Sequence, residues 1–195
     1  MPNIINSLIM QIFSTTLPDL KIIQLKIYHD DRGFFVERFN QKTFADLGLP
    51  TQYWQDNHSF SLPNVIRGLH YQQNPSQIKL VSCISGSILD VAVDIRKNSP
   101  TFGKHFAIEL NSQDGKMLYI PAGFAHGFCV LGKQPANVLY KVNNPYSASG
   151  DGGIRFDDPI LNISWPINNP HQPIISSKDL SLPTFLQYQN SNNTF

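Results

Sequence analysis

Residues 67–72, RGLHYQ, place His70 two positions before Gln72 in a stretch that reads as strand. Side chains alternate faces along a strand, so His70 and Gln72 point together, away from Leu69 and Tyr71. That face is either a wet surface or the wall of a cavity. A histidine on a cavity wall suits general-base work, because its ordinary pKa lies near neutrality. Two further residues extend the set: Lys79 could stabilise an oxyanion, and Tyr140 could deliver a proton. Each also has a plain structural reading, as a hydrogen-bonded barrel histidine, a solvated strand end and a core aromatic.

Such side chains need a scaffold, and the chain around them reads as a succession of short strands. Strand-like segments cover 21–28, 34–39, 65–72, 78–85, 87–96, 105–110, 116–120 and 137–142, each bounded by Gly, Pro, Asn, Asp or Ser. In 87–96, Leu89, Val91, Val93 and Ile95 share one face, and Asp90, Ala92, Asp94 and Arg96 the other, the period of a half-buried strand. Gly86 lies between two such runs and reads as a tight hairpin turn. Helical signal is thin: Asn40 as a cap and Gly48 as a stop define about two turns. A second short helix is expected within 176–185, stopped by Pro183. Many short strands with few helices argue for a sandwich, barrel or jelly roll.

Composition sets the outer limits. With 195 residues and 41% hydrophobic content, the chain forms one globular domain with a substantial core. A net charge of +1 offers no electrostatic argument for nucleic acid or a membrane surface. Cys83 and Cys129 each sit in an apolar run, which predicts two buried thiols rather than a disulfide framework. The longest apolar run is far short of a membrane span. The first thirteen residues lack a basic n-region and an A-x-A site, so no signal peptide is read and the expected compartment is the cytoplasm. Met10 could serve as the start, leaving 1–9 as an extension. The expected organisation is an N-terminal extension over 1–16, one domain over 17–188 and a polar, disordered tail over 189–195.

The most specific spacing is GKMLYIPAGFAHGF, residues 115–128: Gly115, five residues, Pro121-x-Gly123, two residues, then His126. It resembles the second motif of the cupin superfamily, small jelly-roll barrels in which the Pro–Gly turn aims a following histidine into the barrel mouth. Metal cupins also carry an H-x-H pair and a downstream Glu, because a metal needs three or four converging N or O ligands. Here the pair is His70-x-Gln72, and Lys79 stands where the Glu would lie, seven residues before Gly86. A protonated lysine is a donor only. The expectation is a cupin-like barrel, mainly β with a few short helices, put to metal-free use.

Taken together the motifs resemble one family closely, the dTDP-4-dehydrorhamnose 3,5-epimerases. The resemblance runs from about Leu17 to Leu186 and includes DDRGFFVERFNQKTF, QDNHSFS, NVIRGLHYQ, KLVSCISGSILDVAVDIRKNSPTFG, IPAGFAHGF, LYKV and SSKD. It implies His70 as proton acceptor, with Asp179 orienting its imidazole, Lys79 on the C4 oxygen and Tyr140 as proton donor on the opposite face of the sugar ring. It further implies that Arg67 and Lys178 hold the diphosphate or adjoining sugar, as cationic donors suit phosphate oxygens. Gln55, Asp56, Asn57 and His126 match substrate-contacting positions. Arg32 and Glu37 match residues contributed across a homodimer by an exchanged N-terminal segment. Two departures stand out: Asp151 replaces a longer Glu, and YKVNNPY puts Pro145 where the family often has an aromatic.

The implied substrate is the nucleotide sugar dTDP-4-dehydro-6-deoxyglucose, converted with no cofactor. The absence of a dinucleotide fingerprint agrees with that. Three rivals share parts of the pattern: an epimerase of C3 or C5 alone, a sugar-nucleotide ketoisomerase, and a non-catalytic sugar-binding cupin. RGLHYQ with Lys79 and Tyr140 favours epimerisation over ketoisomerisation. Intact base, acid and oxyanion candidates disfavour a mere binder, which needs none of them.

Overall fold

The computed structural model describes residues 10–169, 172–191 and 195. Two antiparallel sheets face each other. One has six strands in the order β1 (Met10–Ser14), β2 (Lys21–Leu25), β10 (Lys116–Ile120), β7 (Lys79–Ser85), β12 (Ala136–Val142) and β5 (Gln55–Ser61). The other has five, β13 (Asp151–Gly153), β6 (Ile66–Gln72), β11 (Phe124–Val130), β8 (Ser87–Asp94) and β9 (His105–Asn111). A separate hairpin, β3 (Ile27–Asp30) with β4 (Gly33–Val36), projects exposed Tyr28, Phe34 and Phe35. This is the expected jelly-roll barrel, mainly β.

The barrel is lined by the inward face of each strand. Val81, Cys83, Ile88, Ala92, Leu118, Phe128 and Val138 meet between the sheets as the main core. The face of β8 with Asp90, Ala92 and Asp94 was expected to be wet, and the structure corrects that: all three are buried. Its other face, Leu89, Val91 and Val93, packs beneath Ile154, Leu161, Phe185 and Tyr188 of the C-terminal segment. A strand covered on both faces by later chain cannot show its exposure in its own alternation. Asp94 tolerates burial because Arg96, Ser99 and Thr101 donate to its carboxylate at 2.6–2.9 Å.

Gly86 is not a hairpin turn. The strands it joins, β7 and β8, belong to different sheets, so it carries the chain across the barrel at φ +75°. A Cβ there would stand 2.4 Å from the Pro135 carbonyl oxygen. Gly86 is thus required both by its left-handed backbone and by close approach.

Helix α1 (Gln41–Asp46) matches its sequence signals: Asn40 accepts from the Thr43 N–H at 3.2 Å, and Gly48 follows at φ +68°. Such a cap contributes about 1 kcal/mol. Its Phe44 is fully buried against Ile23, Leu80 and Met117 on the outside of the six-stranded sheet. The short helix expected near the C-terminus is α2 (Ser177–Leu180), capped by Ser176 and ended before Pro183, and an unexpected one, α3 (Phe185–Asn190), capped by Thr184, follows it. Residues 1–9 of the expected extension lie outside the described residues, but Met10–Ser14 is a strand of the larger sheet. Within the expected disordered tail, α3 reaches Asn190. Phe195 is docked, its N–H on the Tyr188 hydroxyl at 3.2 Å and its ring against Tyr71. Residues 192–194 lie outside the described residues.

Candidate active site

RGLHYQ is a cavity wall, and a bulge makes it one. Across β6 and β11, His70 pairs with His126 but Arg67 pairs with Phe128, so β6 has one residue too many over that interval. The extra residue turns Arg67 onto the same side as His70, which simple alternation would forbid. Gly68, at φ +119°, absorbs the turn. A Cβ on Gly68 would lie 2.6 Å from the Gly127 Cα, and one on Gly127 would lie 2.6 Å from the Arg67 carbonyl oxygen. Leu69 and Tyr71 point the other way, into the outer apolar cluster.

The cleft has two lobes, of about 520 and 420 Å³, and His70, Lys79, Tyr140 and Lys178 line both. These four come from both sheets and a helix: His70 from β6, Lys79 from β7, Tyr140 from β12 and Lys178 from α2. Arg67, His126 and Asp179 line the larger lobe; Gln55, Asn57, Gln72, Tyr146 and Asp151 line the smaller.

The His70 Nε2 lies 2.8 Å from the Asp179 Oδ1. The other oxygen, Oδ2, accepts from the Gly68 N–H at 3.0 Å. Burial alone would push the Asp179 carboxyl up; the His70 and Gly68 bonds outweigh it and leave the group below the usual carboxylate range. A carboxylate held ionised there orients the imidazole. The segment before α2 reaches this position because Ile174 bridges Val65 in parallel and accepts from the Ile66 N–H at 3.1 Å.

Burial pulls the Lys79 ammonium down to about 8, against the opposing charges of Asp90 and Asp151. Its Nζ donates to the His70 carbonyl oxygen at 3.1 Å, leaving further N–H groups for a ligand. Tyr140 has its pKa raised by burial, with Arg67 working the other way, so its hydroxyl keeps its proton. His126 bonds Asp90 at 2.7 Å, both of them buried. Burial lowers the His126 pKa more than Asp90 raises it. The second Asp90 oxygen has no hydrogen-bond partner among the described residues. Sequence reasoning did not select Asp90; its one signal was an acid flanked by apolar residues in the middle of a strand.

Not every candidate is brought to the cleft. Asp56 turns to the outer face of β5 and pairs with Lys141 at 2.7 Å, because strand alternation sends it away from Gln55 and Asn57. Arg32 is 89% exposed on the β3–β4 hairpin, and Glu37 accepts from Asn40 at 3.2 Å; neither lines the cleft of its own chain. Asp151 does line it, but bonds Lys178 and accepts from the Tyr146 hydroxyl at 3.3 Å. Although Pro145 interrupts the aromatic pattern, Tyr146 beside it lines the smaller lobe and is 60% exposed. Among the described residues, no group of three or more His, Cys, Asp and Glu side chains gathers where a metal could be held.

The family model described as dTDP-4-dehydrorhamnose 3,5-epimerase matches residues 14–187. The dTDP-4-dehydrorhamnose 3,5-epimerase of Shigella flexneri is 48% identical over 179 residues, covering 91% of this chain and 97% of its own. A solved dTDP-6-deoxy-D-glucose-3,5-epimerase from Legionella pneumophila, in complex with dTDP-4-keto-L-rhamnose, is 43% identical at a TM-score of 0.86, with 91% and 93% of the two chains covered. A 3'-monoepimerase from Streptomyces bikiniensis, in complex with dTDP-quinovose, has a TM-score of 0.85 at 27% identity, with 92% and 90% covered. The chain belongs to the dTDP-4-dehydrorhamnose 3,5-epimerase family of isomerases.

Proposed function

We propose that His70, Lys79 and Tyr140 invert C3 and C5 of dTDP-4-dehydro-6-deoxy-D-glucose, giving dTDP-4-dehydro-L-rhamnose. The C4 ketone acidifies the hydrogens on both neighbouring carbons, since either carbanion delocalises onto the ketone oxygen. His70 takes the proton and becomes an imidazolium facing ionised Asp179. The electron pair moves onto O4, where the Lys79 ammonium stabilises the enolate. Tyr140 returns a proton from the opposite face, forming the new C–H bond, and both groups then re-equilibrate with solvent. No net oxidation occurs, so no redox cofactor is required.

The observation that carries this reading is that a histidine on one sheet and a tyrosine on the other line the same cleft, with a buried lysine lining both of its lobes. A binder has no use for an acid and a base on opposite walls, and inversion needs both. Arg67 and Lys178 supply cationic donors for the diphosphate or the adjoining sugar, and Gln55, Asn57 and His126 supply further polar contacts. Arg32 and Glu37 serve the partner's cleft in a homodimer. Their exposed hairpin, with Tyr28, Phe34 and Phe35 beside them, supports that placement. The reaction belongs in the cytoplasm, in keeping with two unpaired buried thiols, and calls for no nucleic acid or membrane partner.

The 3'-monoepimerase on a similar fold gives a second reading, inversion at one carbon. Incubation of the substrate in deuterium oxide separates the two. Label at both C3 and C5, read by NMR, is expected. Label at one carbon only, after prolonged incubation, assigns the single-site reaction. No label above the enzyme-free control removes the epimerase reading.

A further inference from the structure

Residues 143–147, between β12 and β13, have no sheet of their own, yet side-chain bonds hold the segment along its length. Asn143 accepts from the Ile78 N–H at 2.8 Å, Gln77 donates to the Asn144 carbonyl at 2.8 Å, and Asn144 donates to the Ser76 carbonyl at 2.8 Å. Gln55 accepts from the Tyr146 N–H at 3.0 Å. At the centre is Gln72, only 4% exposed. Its Nε2 donates to Pro75 at 2.8 Å and to Pro145 at 3.1 Å, while its Oε1 accepts from the Ser147 N–H at 2.8 Å. Both amide hydrogens and the oxygen are used, so Gln72 ties carbonyl and N–H groups on either side of Tyr146 to the strand that carries His70.

The side chain this segment contributes to the cleft is Tyr146, in the smaller lobe, away from Arg67 and Asp179. The reacting ring must lie where His70, Lys79 and Tyr140 meet. The wall formed around Tyr146 therefore faces a part of the substrate that does not react.

On the reading that this is the epimerase cleft, we propose that Gln72 is a positioning residue: it fixes the main chain of 143–147 so that the Tyr146 wall is preformed, and it thereby sets affinity for the nucleotide part of the substrate. The position that would supply a metal ligand in a metal-bearing barrel has become the clamp of a binding loop. Preforming a wall saves the ordering cost at binding. Because the wall touches no reacting atom, it favours ground and transition states alike, which appears in KM and leaves kcat.

The test replaces Gln72 by Met, which conserves volume and removes all three bonds, and Asn143 by Ala, which loosens the same segment away from His70. Steady-state turnover of the 4-keto sugar nucleotide is measured, together with calorimetric binding of dTDP, which lacks the reacting ring. Gln72→Met should raise KM and the dTDP Kd about tenfold with kcat within about twofold, and Asn143→Ala should shift both the same way by less. A fall in kcat with unchanged dTDP affinity would overturn the positioning role, as would unchanged KM and Kd. Should Gln72→Met fail to fold, normal dTDP affinity in Asn143→Ala overturns it alone. A wild-type protein that neither binds dTDP nor turns over the sugar defeats the epimerase reading; a working wild type with unaffected variants defeats only the clamp.

Discussion

The barrel holds two histidine–carboxylate pairs side by side on β6 and β11, since His70 and His126 are direct cross-strand partners. The bond lengths are nearly equal, 2.8 Å for His70–Asp179 and 2.7 Å for His126–Asp90. Their surroundings are not. The His70 side chain is 33% exposed and His126 only 7%. An open imidazole can accept a proton from a ligand and return it to solvent. A sealed one is held neutral by burial, and its partner Asp90 helps hold the Lys79 ammonium. Nearly identical contacts thus sit in different surroundings: one pair is open to a ligand, the other is sealed beside Lys79.

The comparison breaks most sharply at the open pair. His70→Ala should lower kcat by about 10²–10⁴-fold in a protein that stays folded. Asp179→Asn should cost less, because the base survives but loses its orientation and its counter-charge. Near-normal kcat in purified His70→Ala would falsify the role given to the open pair.

The closed pair is sharpened by pH. Lys79 must be protonated to stabilise an enolate oxygen, so activity should fall as pH rises through about 8. Stability should run the opposite way. Below its folded pKa the buried ammonium costs stability, and that cost is relieved as pH rises from about 8 toward the ordinary 10.5, where the unfolded chain binds more protons. Removing the Asp90 charge lowers the Lys79 pKa further, so Asp90→Asn should move the alkaline limb to lower pH, while Asp179→Asn, on the open pair, should lower the rate without moving it. Equal shifts in both variants would erase the distinction between the pairs.

The smallest effect expected is none at all. Gln72 spends its amide on the 143–147 segment and Lys79 is a donor, so exhaustive chelation should leave the rate unchanged. Loss of activity on chelation, restored by adding one metal, would reject the metal-free reading of both histidines.

Alternation, turn residues and caps are local, and the sequence by itself determined what rests on them: a mainly β barrel, the Asn40-capped helix, and His70 and Gln72 on one face of a strand. The Gly115, Pro121, Gly123 and His126 spacing marked the barrel mouth through its resemblance to a cupin motif. Tertiary structure decided what depends on which strands become neighbours. Asp179 meets His70 from 109 positions away, and Asp90 meets His126 only because β8 pairs with β11. Gly86 could be read as a turn, but whether it closed a hairpin or crossed between sheets depended on partners for β7 and β8 that lie far along the chain. Arg67 joins His70 through a bulge that exists only against Gly127, and alternation parts Asp56 from Gln55 and Asn57, but only the placing of β5 beside β12 decides which of them face the cleft. A motif names residue types in order; only the folded sheets choose the face on which each one stands.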